Sequence, residues 1–308
     1  MAQREADGPA PRILALVGPT ATGKSALAVE VAHHHIQGRS MEIVAADAFT
    51  VYRGMDLGTA KPAADSRATI THHLVDVLEP WQDATVAWFQ DAARAAIEDI
   101  LARGRTPLLV GGSGLYFRAL VDDLRFPPTQ PSVRAALETR HTNDPAGAHA
   151  ALTAVDPLAA AKIEPANLRR TVRALEVIEL TGQRFSSFAQ VWDRRESIYP
   201  GLEVRGLELP TPKLRTAIAD RSAEMVAAGL LDEAASLRRQ PRPLSRTAAQ
   251  AIGYAEAFAV LDGRLDLAHL PRAIADRTWR YARRQRSWFR SDPRVRWSTP
   301  DEIRAAWT

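Results

Sequence analysis

The chain has 308 residues, a formal net charge of +4 and no cysteine. That length suggests about two domains and a substantial core, and the absence of thiols excludes disulfides, thiolate metal sites and a cysteine nucleophile. No apolar run approaches the roughly 20 residues needed to cross a bilayer. Residues 1–11 are polar, with no signal-like apolar stretch, so we expect a flexible tail on a soluble cytoplasmic protein. Without a coiled-coil seam or a long apolar stripe, a monomer is expected.

In chain order, residues 13–17 are an apolar run of strand length and 26–32 are helix-like. Between them lies Gly18-Pro19-Thr20-Ala21-Thr22-Gly23-Lys24-Ser25, a P-loop pattern in the strand–loop–helix setting that gives it meaning. Its glycines allow a turn tight enough to aim several N–H groups at one anion. The helix start adds a dipole, Lys24 a charge and Ser25 a hydroxyl for Mg²⁺. The pattern identifies a phosphate or diphosphate site but not the reaction.

Residues 42–46 read as a second strand ending at Asp47. An amphipathic helix is predicted over 86–103, with Phe89, Ala93, Ile97 and Leu101 on its apolar face and Gly104 as its stop. Residues 107–110 form a short apolar strand ending in Gly111-Gly112-Ser113-Gly114. Strands alternating with helices imply a parallel α/β sheet flanked by helices, with ligands at the carboxyl ends of the strands. From about 122 to 198 only helical patterns appear (132–140, 147–155, 167–180), after the linker 126–131. We read this stretch as a helical insertion into a core made of 12–121 and 199–308. Residues 203–209 and 295–297 read as further strands.

A phosphate-hydrolysing P-loop site usually has a carboxylate at the tip of an apolar strand. Here the best central strand ends in Gly-Gly, and Leu74-Val75-Asp76 is too short to serve. Asp47 is the carboxylate best placed, as a metal-shell ligand, as a base for a substrate proton, or merely as a turn or helix cap.

The P-loop together with residues 47–62 (Asp47-Ala48-Phe49-Thr50-Val51-Tyr52-Arg53-Gly54-Met55-Asp56-Leu57-Gly58-Thr59-Ala60-Lys61-Pro62) closely resembles the tRNA dimethylallyltransferase, or tRNA isopentenyltransferase, family. The likeness continues through 72–76, 111–117, 173–177 with Thr181-Gly182, Met225 with Gly229-Leu230, and 245–247 with 250–254. It ends at 281–285 with Trp288-Phe289.

The resemblance implies a P-loop NTPase-like fold and transfer of dimethylallyl from dimethylallyl diphosphate to an adenosine amine. The target is the base just 3′ of the anticodon in tRNAs reading codons that begin with U. It implies Asp47 as base, Ser113 as the hydroxyl placing the adenine, and Arg221 at the diphosphate with Arg284. It makes Gly18, Thr20, Ala21, Thr22, Gly23, Lys24 and Ser25 the diphosphate cradle, with Mg²⁺ as cofactor held by Ser25. Finally, it implies tRNA contacts at Ala48, Phe49, Thr50, Arg134, Arg170, Arg173, Gln250, Gly253 and Tyr254, with the helical insertion gripping the anticodon stem-loop.

The arginine-rich stretch 271–290 fits nucleic acid independently. Arg277, Arg280 and Arg284 share one helical face, and Arg283, Arg286 and Arg290 another. Ala48, Thr50 and Ala255 depart from the common family residues Ser, Gln and Lys, and Ser113 replaces a usual Thr. A small-molecule kinase, a non-catalytic RNA-binding switch and transfer to free AMP remain alternatives. The His33-His34-His35 run points three ways around one turn and makes a poor chelator. His72 and His73 carry no assigned role.

Overall fold

The computed structural model describes residues 12–34, 36, 38–189 and 194–308. The tail expected at 1–11 lies outside the described residues, as does His35. The chain divides into two compact units: one runs to Val121 and resumes at Ser197–Thr308, the other is Asp122–Glu196.

The first unit alternates β1 (Ile13–Val17), α1 (Lys24–Ala32), β2 (Met41–Ala46), α2 (Ala64–Thr69), β3 (His72–His73), α3 (Val86–Ala102), β4 (Thr106–Gly111) and α4 (Gly114–Val121). The second unit is helical, with α5 (Pro131–His141), α6 (Pro145–Val155), α7 (Pro157–Ala160), α8 (Leu168–Thr181) and α9 (Phe185–Ala189). The chain then returns to the first unit as β5 (Leu202–Gly206), α10 (Thr211–Ala227), α11 (Leu230–Arg238), α12 (Arg246–Ala249), α13 (Tyr254–Leu261), α14 (Leu270–Arg290), β6 (Val295–Trp297) and α15 (Pro300–Trp307).

Six strands form one parallel sheet in the order β3-β2-β4-β1-β5-β6. This is the P-loop NTPase-like architecture expected, with an all-helical insertion. Every residue of β1 is buried because both edges and both faces are covered. Each large side chain there contributes on the order of 1.5–3 kcal/mol. One sheet face carries Ile13, Ala15 and Val17 against the α3, α4 and α14 side. The other carries Leu14 and Leu16 against α1 and α15, where Trp307 is fully buried. In α3, Thr85 caps the first turn by accepting the Trp88 N–H, and Phe89, Ala93, Ile97 and Ile100 are fully buried. Leu101, expected on that face, is only partly buried.

Leu74-Val75-Asp76, too short to serve, forms no strand: the chain leaves β3 with Leu74 at φ 61 and Asp76 at φ 56, left-handed values that end extension. Asp76 is occupied by Lys61 and Arg67. The strand expected at 203–209 stops at Gly206.

In the helical unit, Glu176 of α8 is fully buried yet charged. Its carboxylate accepts bonds from Arg134 (2.7 Å), Arg173 (2.7 Å), the Gln130 N–H and the Thr129 hydroxyl. Arg173 also donates to the Pro127 and Pro128 carbonyls. The cluster clamps the linker onto α5 and α8. Burial alone would raise the Glu176 pKa, but these donors outweigh it and hold the carboxyl below its usual range. Its stabilisation is therefore present above the ordinary carboxylate range and lost as pH falls through the lowered value. Glu176→Gln is expected to destabilise the helical unit by about 3 kcal/mol, since it leaves two arginines facing an uncharged amide. Hydrogen exchange over 127–181 measures this; protection equal to that of the native chain removes Glu176 as the clamp.

Candidate active site

The carboxyl ends of β1, β4 and β2 meet at one place. Gly111 of β4 stands opposite Val17 on one side and Ala46 on the other, so β4 separates the P-loop strand from the Asp47 strand. A Cβ on Gly111 would lie 2.2 Å from the Ala46 carbonyl oxygen, so only glycine lets β2 and β4 converge. A Cβ on Gly18 would strike the Leu207 carbonyl at 2.1 Å. That closeness is what the first P-loop glycine permits.

A cavity of about 250 Å³ opens at this end, lined by Thr20 to Ala26, Asp47, Thr50, Thr59, Gly111, Gly112, Arg221, Tyr281 and Gln285. A second hollow of about 80 Å³ shares Thr20, Asp47, Thr59, Arg221 and Tyr281 with it and continues among Phe49, Ile218, Met225, Ile252 and Ile274. Asp47 thus stands at the junction of a polar, cationic chamber and an apolar one.

Lys24 is buried, and its ammonium bonds the loop's own Pro19 carbonyl at 2.5 Å. Loss of hydration, reinforced by Arg221 and opposed by Asp47, lowers its pKa to about 7. Arg221 is lowered in turn by burial, against the pull of Asp47 and Glu224, and donates to the Thr20 hydroxyl at 3.2 Å. Asp47 accepts the Phe49 N–H at 2.8 Å, so it makes the turn contact as well as facing the cavity. Burial raises its pKa, against the lowering effect of that bond, the Thr50 N–H, Lys24 and Arg221. A carboxylate shifted upward beside two cations shifted downward is the environment of a proton acceptor next to an anion site. The Ser25 hydroxyl is exposed at the start of α1.

Other expected residues fall in different places. Ala48 and Phe49 are partly buried beside Asp47, and Phe49 lines the apolar hollow. Thr50 is buried in the larger cavity, with its hydroxyl unpartnered. Ser113 is partly buried just past the end of β4 and lines neither cavity. Gln250 and Arg170 are exposed. Tyr254 is fully buried, its hydroxyl held between the Gly58 N–H and Glu233, so its ring offers RNA no surface. Gly253 is buried at φ 94, opening α13. Burial, with Glu233 beside it, pushes the Tyr254 phenol well above its ordinary pKa.

Arg284 is also displaced from expectation. It is exposed, 5.8 Å from the centroid of the Tyr281 ring, and does not line the cavity. Its neighbour Gln285 reaches the loop instead, because one helical step rotates the next side chain to the inward face. Half of the arginines expected on the two basic faces of α14 are tied down. Arg277 pairs with Glu256, and Arg286 and Arg290 with Glu208. Arg280, Arg283 and Arg284 remain exposed.

Tyr281 and Gln285 received no role from the sequence alone. Their i, i+4 spacing on a helix otherwise read as basic was the available signal. The two histidines separate: His72 lines the cavity with its Nδ1 2.8 Å from the Ile70 carbonyl, and burial lowers its pKa. His73 pairs with Glu42. Glu42, fully buried, is lowered to about 2, chiefly by Arg103.

Fold and site define a P-loop protein whose loop faces a carboxylate, Asp47, across the end of β4. The family model described as IPP transferase matches residues 50–292. A tRNA dimethylallyltransferase of Bifidobacterium longum subsp. infantis is 45% identical over 93% of this chain and 86% of its own. One from Kineococcus radiotolerans is 49% identical, covering 92% and 90%. The tRNA isopentenylpyrophosphate transferase of Bacillus halodurans superposes with a TM-score of 0.68 at 36% identity, covering 96% of this chain and 93% of that one. The chain belongs to the IPP transferase family of tRNA dimethylallyltransferases. A eukaryotic dimethylallyltransferase solved acting on tRNA shares the fold, with a TM-score of 0.77 at 24% identity over 94% of this chain and 74% of its own.

Proposed function

We propose that this chain is a tRNA dimethylallyltransferase. It moves dimethylallyl from dimethylallyl diphosphate to the exocyclic amine of the adenosine 3′ of the anticodon, in tRNAs reading codons that begin with U. The observation that carries this reading is the placement of Asp47 where the cationic P-loop chamber meets the apolar hollow.

In the reaction the amine nitrogen bonds the allylic C1, the C1–oxygen bond breaks, and the electron pair leaves with diphosphate. The proton lost by the amine passes to Asp47. Charge grows on the leaving group, so the loop N–H groups, Lys24 and Arg221 stabilise the transition state more than the ground state. Among the described residues no group of three His, Asp or Glu could hold a metal by itself. The exposed Ser25 hydroxyl is the group of this chain that would hold Mg²⁺ beside the diphosphate, where the ion would neutralise part of the leaving-group charge. Ser113 and the Thr50 hydroxyl are the polar groups offered to the flipped adenine. Arg280, Arg283 and Arg284 on one unit and Arg170 on the other are the exposed cations for RNA phosphates. Arg134 and Arg173 serve Glu176 first, so truncating either disturbs the fold before it touches RNA. The protein acts as a monomer.

The test uses the purified chain, Mg²⁺, labelled dimethylallyl diphosphate and an unmodified anticodon stem-loop carrying adenosine at the target position. Label is expected on the RNA, and none when that adenosine is replaced by guanosine. No transfer, alongside nucleoside triphosphate turnover, would assign the loop to a kinase.

A further inference from the structure

We propose that Gln285 is a positioning residue for the diphosphate loop. The inference rests on the reading of the loop as a diphosphate cradle, not on transfer to RNA. Gln285 lies on α14, far along the chain from the loop, and is only 4% exposed. Its Oε1 accepts the Thr20 N–H at 2.9 Å, while Arg221 holds the Thr20 hydroxyl. The start of the loop is thus gripped from two helices.

The grip has a physical purpose. The loop contains Ala21 at φ 61 and Gly23 at φ 85. A left-handed alanine costs about 1–2 kcal/mol, so this geometry persists only where its surroundings impose it. Gly112 makes the seat: a Cβ there would stand 2.3 Å from Gln285 Nε2. The Gly-Gly end of β4 therefore does more than omit a carboxylate, because it admits a neutral amide from α14 across the sheet tip. An amide accepts the Thr20 N–H without adding negative charge beside the diphosphate.

Tyr281, one turn earlier on α14, lines both cavities.

Inorganic diphosphate with Mg²⁺ is titrated into the full chain. Gln285→Met is expected to weaken diphosphate about tenfold, with the thermal midpoint within a few degrees of native, because a buried N–H loses its acceptor. Gln285→Glu should weaken it further through charge, and Gly112→Ala should reproduce the methionine variant. In turnover, Gln285→Met should raise donor KM more than it lowers kcat. Native diphosphate affinity in both Gln285→Met and Gly112→Ala would overturn the loop role. Diphosphate titration needs no transfer, so a chain that binds diphosphate but never prenylates RNA defeats the prenyl-transfer reading and leaves the loop role intact.

Discussion

Asp47→Ala is expected to slow prenyl transfer by about 10²–10⁴-fold, the usual contribution of a positioned general base, while RNA binding stays close to native. The adenosine amine carries a proton that must leave as the new bond forms, and Asp47 is the carboxylate common to both chambers. Its pKa is raised by burial and only partly restored by the Phe49 and Thr50 N–H groups, Lys24 and Arg221. The basic form is the ionised one, so single-turnover rates should fall as pH drops through the raised value. The alanine variant should lose that acidic limb. Asp47→Asn keeps the turn contact to the Phe49 N–H and removes the proton acceptor, so it separates folding from chemistry. Native single-turnover rates in the asparagine variant would take the base role from Asp47.

Lys24→Met is expected to abolish measurable diphosphate binding while stabilising the ligand-free protein. In the native chain the ammonium is buried with only loop oxygens as acceptors, next to Arg221, and its pKa sits at about 7 against an ordinary 10.5. Between those values the unfolded chain holds the proton more firmly than the folded one, so this group makes the ligand-free protein more stable as pH rises from 7 towards 10.5. The methionine variant should lack that slope and gain on the order of 1–4 kcal/mol at neutral pH, as when a buried charge is replaced by an apolar side chain. An arriving diphosphate reverses the effect and draws a proton onto Lys24. Calorimetric titrations at pH 8 in buffers of different ionisation enthalpy should show proton uptake in the native chain and none in the variant. Uptake that persists in Lys24→Met would place the titrating group elsewhere.

The alternation of strands and helices, the P-loop and the placing of Asp47 after a strand were legible because each is local. An apolar run of strand length, a glycine-spaced turn and a helix start read the same in any context. Arg284 was misplaced because its neighbour Gln285 differs from it by one helical step, and the choice of inward face is made by packing against β4 and the loop. The family resemblance implies RNA contacts at Arg134 and Arg173, and nothing local in the sequence reveals that both also pair with a buried carboxylate. Glu176 stands 42 residues from Arg134, beyond any local pattern. Tyr254 was assigned to RNA from its motif, yet the fold gives its hydroxyl to Gly58 and Glu233.

By itself the sequence determined an anion site on an α/β sheet, a candidate base one strand later, and a helical insertion. Local backbone preference and hydrophobic period set those features within a few residues of chain. Only the tertiary structure decided that β4 lies between the P-loop and Asp47, and that Gly111 and Gly112 are glycines for want of space. It alone placed Gln285 and Arg221 to hold the loop and raised Asp47 while lowering Lys24. Those outcomes depend on burial and on charges brought together from distant parts of the chain, and desolvation exists only once the chain has closed around the group.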